Sequence, residues 1–176
     1  GNVIGGGDWA KDRIVPDCVN ATFSGDKLKI RYPSATRPWQ HVLEPLSGYL
    51  TLGDQLFSNK ILHGEAFNFG PSSDQNHPVS TLINEMSKNW HQISWEDDSK
   101  SDQNLYEAGL LKLNCDKSNL KLKWSPTLDF EETVRMTVNW YQNYYSNDSD
   151  SMLDFTNSQI KEYCYLAKKR NIKWAI

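Results

Sequence analysis

Arg37 heads the run RPWQHV (37–42), in which a guanidinium, an aromatic ring, an amide and an imidazole stand where a plain strand would alternate apolar and polar residues. A guanidinium forks two charge-assisted hydrogen bonds onto phosphate oxygens in a geometry that an ammonium does not reproduce. Arg37 is therefore a candidate anion ligand, and an arginine salt-bridged at a domain edge fits the same run equally well. Asn2 sits one residue inside GNVIG, at a strand end of the kind that lines the ligand crevice in open α/β sheets. An amide there can donate to a phosphate or sugar oxygen, or it can tie down the next loop. Asn68, in AFNFG (66–70), repeats the pattern of a lone amide among aromatic residues just before a glycine. Short polar groups converging at the ends of apolar strands give a mostly apolar pocket its specificity. Arg31 is a further phosphate partner or, alternatively, an exposed arginine on an edge strand.

Other residues point away from catalysis. His41 has the titration range of an acid or base, but no nucleophile adjoins it and no metal ligand follows four residues on, so a structural histidine is expected. Glu44, Glu65 and Glu107 are scattered carboxylates of a kind that is usually solvated. Gly5, Gly6 and Gly7 lack both the spacing of a dinucleotide fingerprint and the lysine and hydroxyl of a P-loop, which makes them a bend. The residues describe a pocket for a phosphorylated ligand and supply no catalytic engine.

The elements that must position these groups alternate between short strands and amphipathic helices. Residues 1–4 end a strand, and Asp12 is expected to cap a helix carrying Ile14, Val15, Cys18, Val19 and Phe23, with Gly25 as its stop. Strands are expected at 27–31, 39–43, 66–69, 93–95 and 110–113. Pro45 should open a helix through about Phe57 with Leu46, Tyr49, Leu50, Gly53 and Leu56 on its core face. Val79, Leu82, Ile83, Met86 and Trp90 form an apolar stripe, residues 96–104 read as a surface loop, and Asp116 is expected to cap a short helix. Asp129 should cap a long helix carrying Phe130, Val134, Val138, Tyr141 and Tyr145, and Thr156 or Asn157 a last one carrying Ile160, Tyr163, Cys164 and Ala167 inward. The layout is α/β with no second domain.

With 176 residues the chain can bury a sizeable core without a staple. A formal net charge of −3 gives no basic face for a nucleic-acid backbone. The three cysteines, Cys18, Cys115 and Cys164, are far apart and odd in number, as expected of buried thiols in a reducing cytoplasm; no zinc site is suggested. No apolar run is long enough to span a bilayer. The chain opens at Gly1 in the middle of what reads as a strand, as a cut end would.

The runs GNVIGGGDWAKDRIVPD, RPWQHVLEPLSGYL, FNFGP and LKLNCDKS, with W-x-P soon after and LDFTNSQIKEY near the end, resemble the C-terminal half of the CDP-glucose 4,6-dehydratases. These are extended short-chain dehydrogenase/reductases. The resemblance implies the C-terminal portion of an extended Rossmann-type fold: residues 1–5 as the end of a late Rossmann strand, 1–176 as a small mixed α/β substrate-binding portion, and the NAD-binding part absent. It implies that Arg37 holds the pyrophosphate of CDP-glucose, that Asn2 meets its sugar-pyrophosphate part, that Asn68 contributes to the nucleotide side, and that Arg13 and Arg31 make further nucleotide or phosphate contacts. The implied reaction oxidises C4 of the glucose with bound NAD, eliminates water across C5 and C6, and returns the hydride to C6. The product is CDP-4-keto-6-deoxyglucose.

The family's NAD fingerprint, its Tyr-x-x-x-Lys pair and its catalytic threonine and carboxylates have no counterpart in this chain, which is therefore expected to be inactive alone. The resemblance further implies a cytoplasmic enzyme that is a homo-oligomer when full length. Where the family has a Pro-His-Glu-Ala run, this chain reads Leu105-Tyr106-Glu107-Ala108, so Tyr106 replaces the histidine. A non-catalytic module that binds nucleotide-sugars or a protein is the alternative from another class, and a related epimerase or reductase a third.

Overall fold

The computed structural model describes residues 2–58, 60–100, 109–146 and 151–176. Tyr106 and Glu107, singled out above, lie outside the described residues. In chain order the elements are β1 (Asn2–Ile4), α1 (Ile14–Ser24), β2 (Leu28–Ile30), β3 (Thr36–Arg37), β4 (Trp39–His41), α2 (Leu43–Ser58), β5 (His77–Pro78), α3 (Val79–Asn89), β6 (Trp95–Asp97), α4 (Phe130–Tyr145) and α5 (Met152–Lys169). The strands form two-stranded ladders: β1 with β4 and β2 with β6, both parallel, and β3 antiparallel to β5.

The main core brings α1, α3 and α4 onto β2 and β4 through Val15, Cys18, Val19, Leu82, Ile83, Met86, Val134, Val138 and Tyr141, with Trp39 beneath them. These are the apolar positions that recur every three to four residues along each helix, as burial of one face requires. Leu62, Phe69, Leu122 and Trp124 form a second cluster, and Leu128, Met136 and Tyr163 a third beneath α5. The start of α4 is the capping box expected at Asp129. Its carboxylate accepts the Glu132 amide at 2.8 Å, and Glu132 accepts the Asp129 amide at 3.1 Å. Gly25 closes α1 in the left-handed conformation, at φ 77°.

Several expectations are corrected. Asp12 does not cap α1: it sits in the left-handed region at φ 61°, inside the turn before the helix, and Arg13 occupies the cap position without a capping side-chain hydrogen bond. The last helix starts ahead of Thr156, because the Ser151 hydroxyl accepts the Leu153 amide at 3.2 Å. Residues 66–69 form no strand, since the Phe69 carbonyl is taken by the Gln40 side chain at 2.9 Å instead of a ladder. Around 110–113 only an isolated bridge from Thr36 to Leu110 forms. Glu96 and Asp97, read as loop, pair with Lys29 and Ile30.

The largest correction concerns α2, which buries Glu44, Pro45, Ser47 and Gly48 and leaves Leu46, Tyr49, Leu50 and Phe57 exposed. Glu44 determines that choice. Its carboxylate is buried and accepts the amides of Thr127 (3.0 Å) and Leu128 (2.7 Å) and the Tyr163 hydroxyl (2.9 Å). Ser47 Oγ, on the same side, accepts from Trp124 Nε1 at 2.9 Å and lies 3.0 Å from the Tyr163 hydroxyl. This polar seam ties α2 to α5 and to the segment before α4, so the helix turns its polar residues inward. Among the described residues no helix is long and apolar enough to cross a membrane.

Candidate functional site

A cavity of about 490 Å³ opens between the C-terminal end of β1, the start of α1, the end of β2 and the β3–β4 segment. That is within the volume range of small-ligand sites. Asn2, Arg13, Arg31 and Arg37 all lie on its wall, although the sequence separates them by up to 35 positions. Parallel pairing of β1 with β4, which sets Asn2 opposite Trp39, brings the first and last of them to one mouth. Arg37 is only 7% exposed, and its Nη1 donates to the Thr36 carbonyl at 2.8 Å. Pro38 follows it, and β3 pairs Arg37 with His77, so the backbone holding the guanidinium is constrained on both sides. Arg31 and Arg13 are exposed at the rim. Arg13 Nη1 donates to Asp8 Oδ2 at 3.1 Å.

Asn68 is not part of this cavity. Its Nδ2 donates to the Asn114 carbonyl at 3.1 Å, and its own carbonyl accepts from the Ser118 hydroxyl. Because 66–69 does not join the β1–β4 ladder, the amide faces the segment around Asn114 and not Arg37. The nucleotide-side role expected for Asn68 would therefore have to be played outside this cavity.

Residue types alone did not single out Asp8, Asp12, Asp17, Lys29, Tyr32 and Trp39, which share the wall. Burial, reinforced by the nearby Asp12 carboxylate, raises the Asp17 carboxyl above its ordinary range. The one sequence signal available was Asp8 five residues before Arg13. Both ends of that pair are partly exposed, which makes it an orienting contact more than a source of stability.

His41 stands at the entrance to α2. Its Nδ1 accepts the Leu43 amide at 3.3 Å and opens α2, while burial lowers its pKa to about 4. Glu44 was expected to be solvated and is instead the buried centre of the seam, its carboxyl raised to about 7 by burial against the pull of the two amides and the Tyr163 hydroxyl. Among the described residues no group of three histidine, cysteine, aspartate or glutamate side chains could hold a metal ion, and the cysteines are free. The glycines after β1 form a turn in which Gly6 lies against Trp140, where a Cβ would come within 1.9 Å of the ring. That close approach serves packing and leaves no phosphate cradle.

The fold matches part of the Rossmann-type fold seen in solved sugar-nucleotide epimerases and dehydratases. UDP-glucuronic acid 4-epimerase from Bacillus cereus, solved with UDP-glucuronic acid and NAD, superposes with a TM-score of 0.67 at 16% identity, over 82% of this chain and 44% of that one. The dTDP-glucose 4,6-dehydratase from Bacillus anthracis, in complex with NAD, gives 0.56 at 20% identity, over 82% and 43%.

In sequence the chain is similar to a CDP-glucose 4,6-dehydratase: the Salmonella typhimurium protein is 38% identical over 164 residues, 93% of this chain and 45% of that protein. The chain thus spans less than half the length of the curated relative it matches. No family model matches.

Proposed function

We propose that this chain is the nucleotide-sugar-binding portion of a CDP-glucose 4,6-dehydratase, and that the cavity beside Arg37 receives the sugar-pyrophosphate part of CDP-glucose. The observation that carries it is the convergence of Asn2, Arg13, Arg31 and Arg37 on one wall of a cavity of ligand size. A pyrophosphate is a string of acceptors carrying negative charge, and three guanidiniums with an amide are its matching donors. Arg37 is the central ligand, because it is the most buried of the three guanidiniums and a charge-assisted hydrogen bond to phosphate is stronger where the dielectric is low. Asn2, at the strand end, donates to the sugar-phosphate junction. Arg13 and Arg31, at the exposed rim, steer and hold the phosphate more weakly.

The redox step on C4 belongs to NAD, expected to be bound by a part of the enzyme outside this chain. In this chain the described residues bind and orient the substrate and leave the chemistry to other parts of the enzyme. The 176-residue chain is expected to bind CDP-glucose and to leave it unconverted. A non-catalytic nucleotide-sugar module shares the binding and differs in what accompanies it: an in-frame dehydrogenase-like sequence upstream of Gly1 in the gene favours the dehydratase, and a start codon directly before Gly1 the module.

Calorimetric titration tests the site. Arg37→Ala is expected to weaken CDP-glucose binding at least about tenfold, the worth of a hydrogen bond between charged groups. CDP-glucose affinity unchanged by Arg37→Ala would refute the assignment.

A further inference from the structure

The wall of the cavity between Gly5 and Arg13 contains turns and no regular element, so no ladder or helix holds it in place. Its fastening comes from the far end of the chain, at the aromatic C-terminal half of α4. The Tyr141 hydroxyl, on a fully buried ring, donates to the Asp8 carbonyl at 2.7 Å. Gly6 rests on the Trp140 ring closely enough that a Cβ would lie 1.9–2.6 Å from its atoms. Trp9 sits among Tyr141, Tyr144 and Tyr145 at centroid distances of 5.4, 5.0 and 6.2 Å, the first and last edge to face. Beyond the loop, Trp140 Nε1 donates to Thr156 Oγ1 of α5 at 3.0 Å.

The consequence reaches the ligand side through Asp8. Its backbone carbonyl is held by Tyr141, while its carboxylate accepts the Ala10 amide at 3.0 Å and the Arg13 guanidinium at 3.1 Å. One residue therefore joins the aromatic anchor to a rim arginine of the cavity. We propose that Tyr141 and Trp140 are positioning residues for nucleotide-sugar binding: they hold the Gly5–Arg13 wall, and through Asp8 they aim Arg13 at the phosphates. This rests on the substrate assignment above. Neither ring lies on the cavity wall, so their effect is transmitted by the loop.

The experiment combines amide hydrogen exchange with titration of CDP-glucose in the whole 176-residue chain. Tyr141→Phe removes one hydroxyl and keeps the ring. It is expected to speed exchange in the segment 6–13 and to weaken CDP-glucose binding about five- to tenfold, the effect of one lost buried hydrogen bond. Exchange in α3, which the hydroxyl does not touch, is expected to stay as it was. The exposed Tyr165→Phe on α5 serves as the control and should change neither quantity. Unaltered exchange in 6–13 after Tyr141→Phe, or faster exchange with unaltered affinity, overturns the proposal. Failure of the unsubstituted chain to bind CDP-glucose overturns the substrate assignment instead, and the exchange measurement then decides by itself whether the anchor holds the loop.

Discussion

His41 and Glu44 stand three residues apart at the entrance to α2, each about 2% exposed, and burial moves their titrations in opposite directions. Glu44 is raised from 4.5 to about 7, so the folded chain keeps a proton that the unfolded chain releases. Its contribution to stability is complete below about pH 4.5 and is lost as pH rises to 7. His41 is lowered from 6.5 to about 4, so the unfolded chain takes a proton that the fold refuses. Its contribution is complete above pH 6.5 and is lost as pH falls to 4. Its Nε2 is buried without a hydrogen-bond partner among the described residues, so a proton there would leave a charge unpaired.

Each gap of about 2.5 in pH corresponds to about 3 kcal/mol, with slopes of about 1.4 kcal/mol per pH unit and opposite sign. Between pH 4.5 and 6.5 the two slopes cancel in the native chain. Glu44→Gln is therefore expected to make stability rise with pH relative to the native chain. His41→Asn, which keeps an acceptor for the Leu43 amide, is expected to make it fall. The assay is urea unfolding followed by tryptophan fluorescence at intervals from pH 4.5 to 7.5. The difference in slope between variant and native chain removes every other titrating group. Parallel pH profiles for the native chain and both variants would refute the opposition.

Two further outcomes follow from packing. A Cβ at Gly48 would lie 2.3 Å from the Phe69 ring, which is held between Tyr49 and Trp124, so Gly48→Ala should lower the unfolding free energy by about 1–3 kcal/mol; a loss below about 0.5 kcal/mol in urea unfolding would show that the ring yields freely. On the outer face of α2, Leu50 is 77% and Phe57 96% exposed, and the chain should therefore bind a fluorescent apolar dye. The double substitution Leu50→Glu and Phe57→Glu should cut that signal without lowering the melting temperature, and undiminished dye fluorescence would place the binding elsewhere.

Local signals in the chain determined a good deal of this protein. The stripe Val79–Trp90 has the period of a helix with one buried face, and the Asp129–Glu132 pair is a helix start written in neighbouring residues. Both signals are local, and the structure bears them out. Arg37 and Asn2 could be nominated from residue type and the expected strand ends. Their meeting at one cavity required the parallel register of β1 on β4, which no local pattern encodes.

Tertiary structure decided the rest. The apolar stripe of α2 predicted a buried face, but Glu44 found amide donors more than eighty residues away and turned the helix over. A buried carboxylate needs its hydrogen bonds more than an exposed leucine needs cover. Asn68 had a similar local context, but its segment stays out of the ladder and its amide donates to the Asn114 carbonyl, away from the Arg37 cavity. Asp8 and Tyr141 are 133 residues apart. Their contact, which fastens the wall of the cavity, exists only because α4 packs across β4 and carries its aromatic end to the loop after β1.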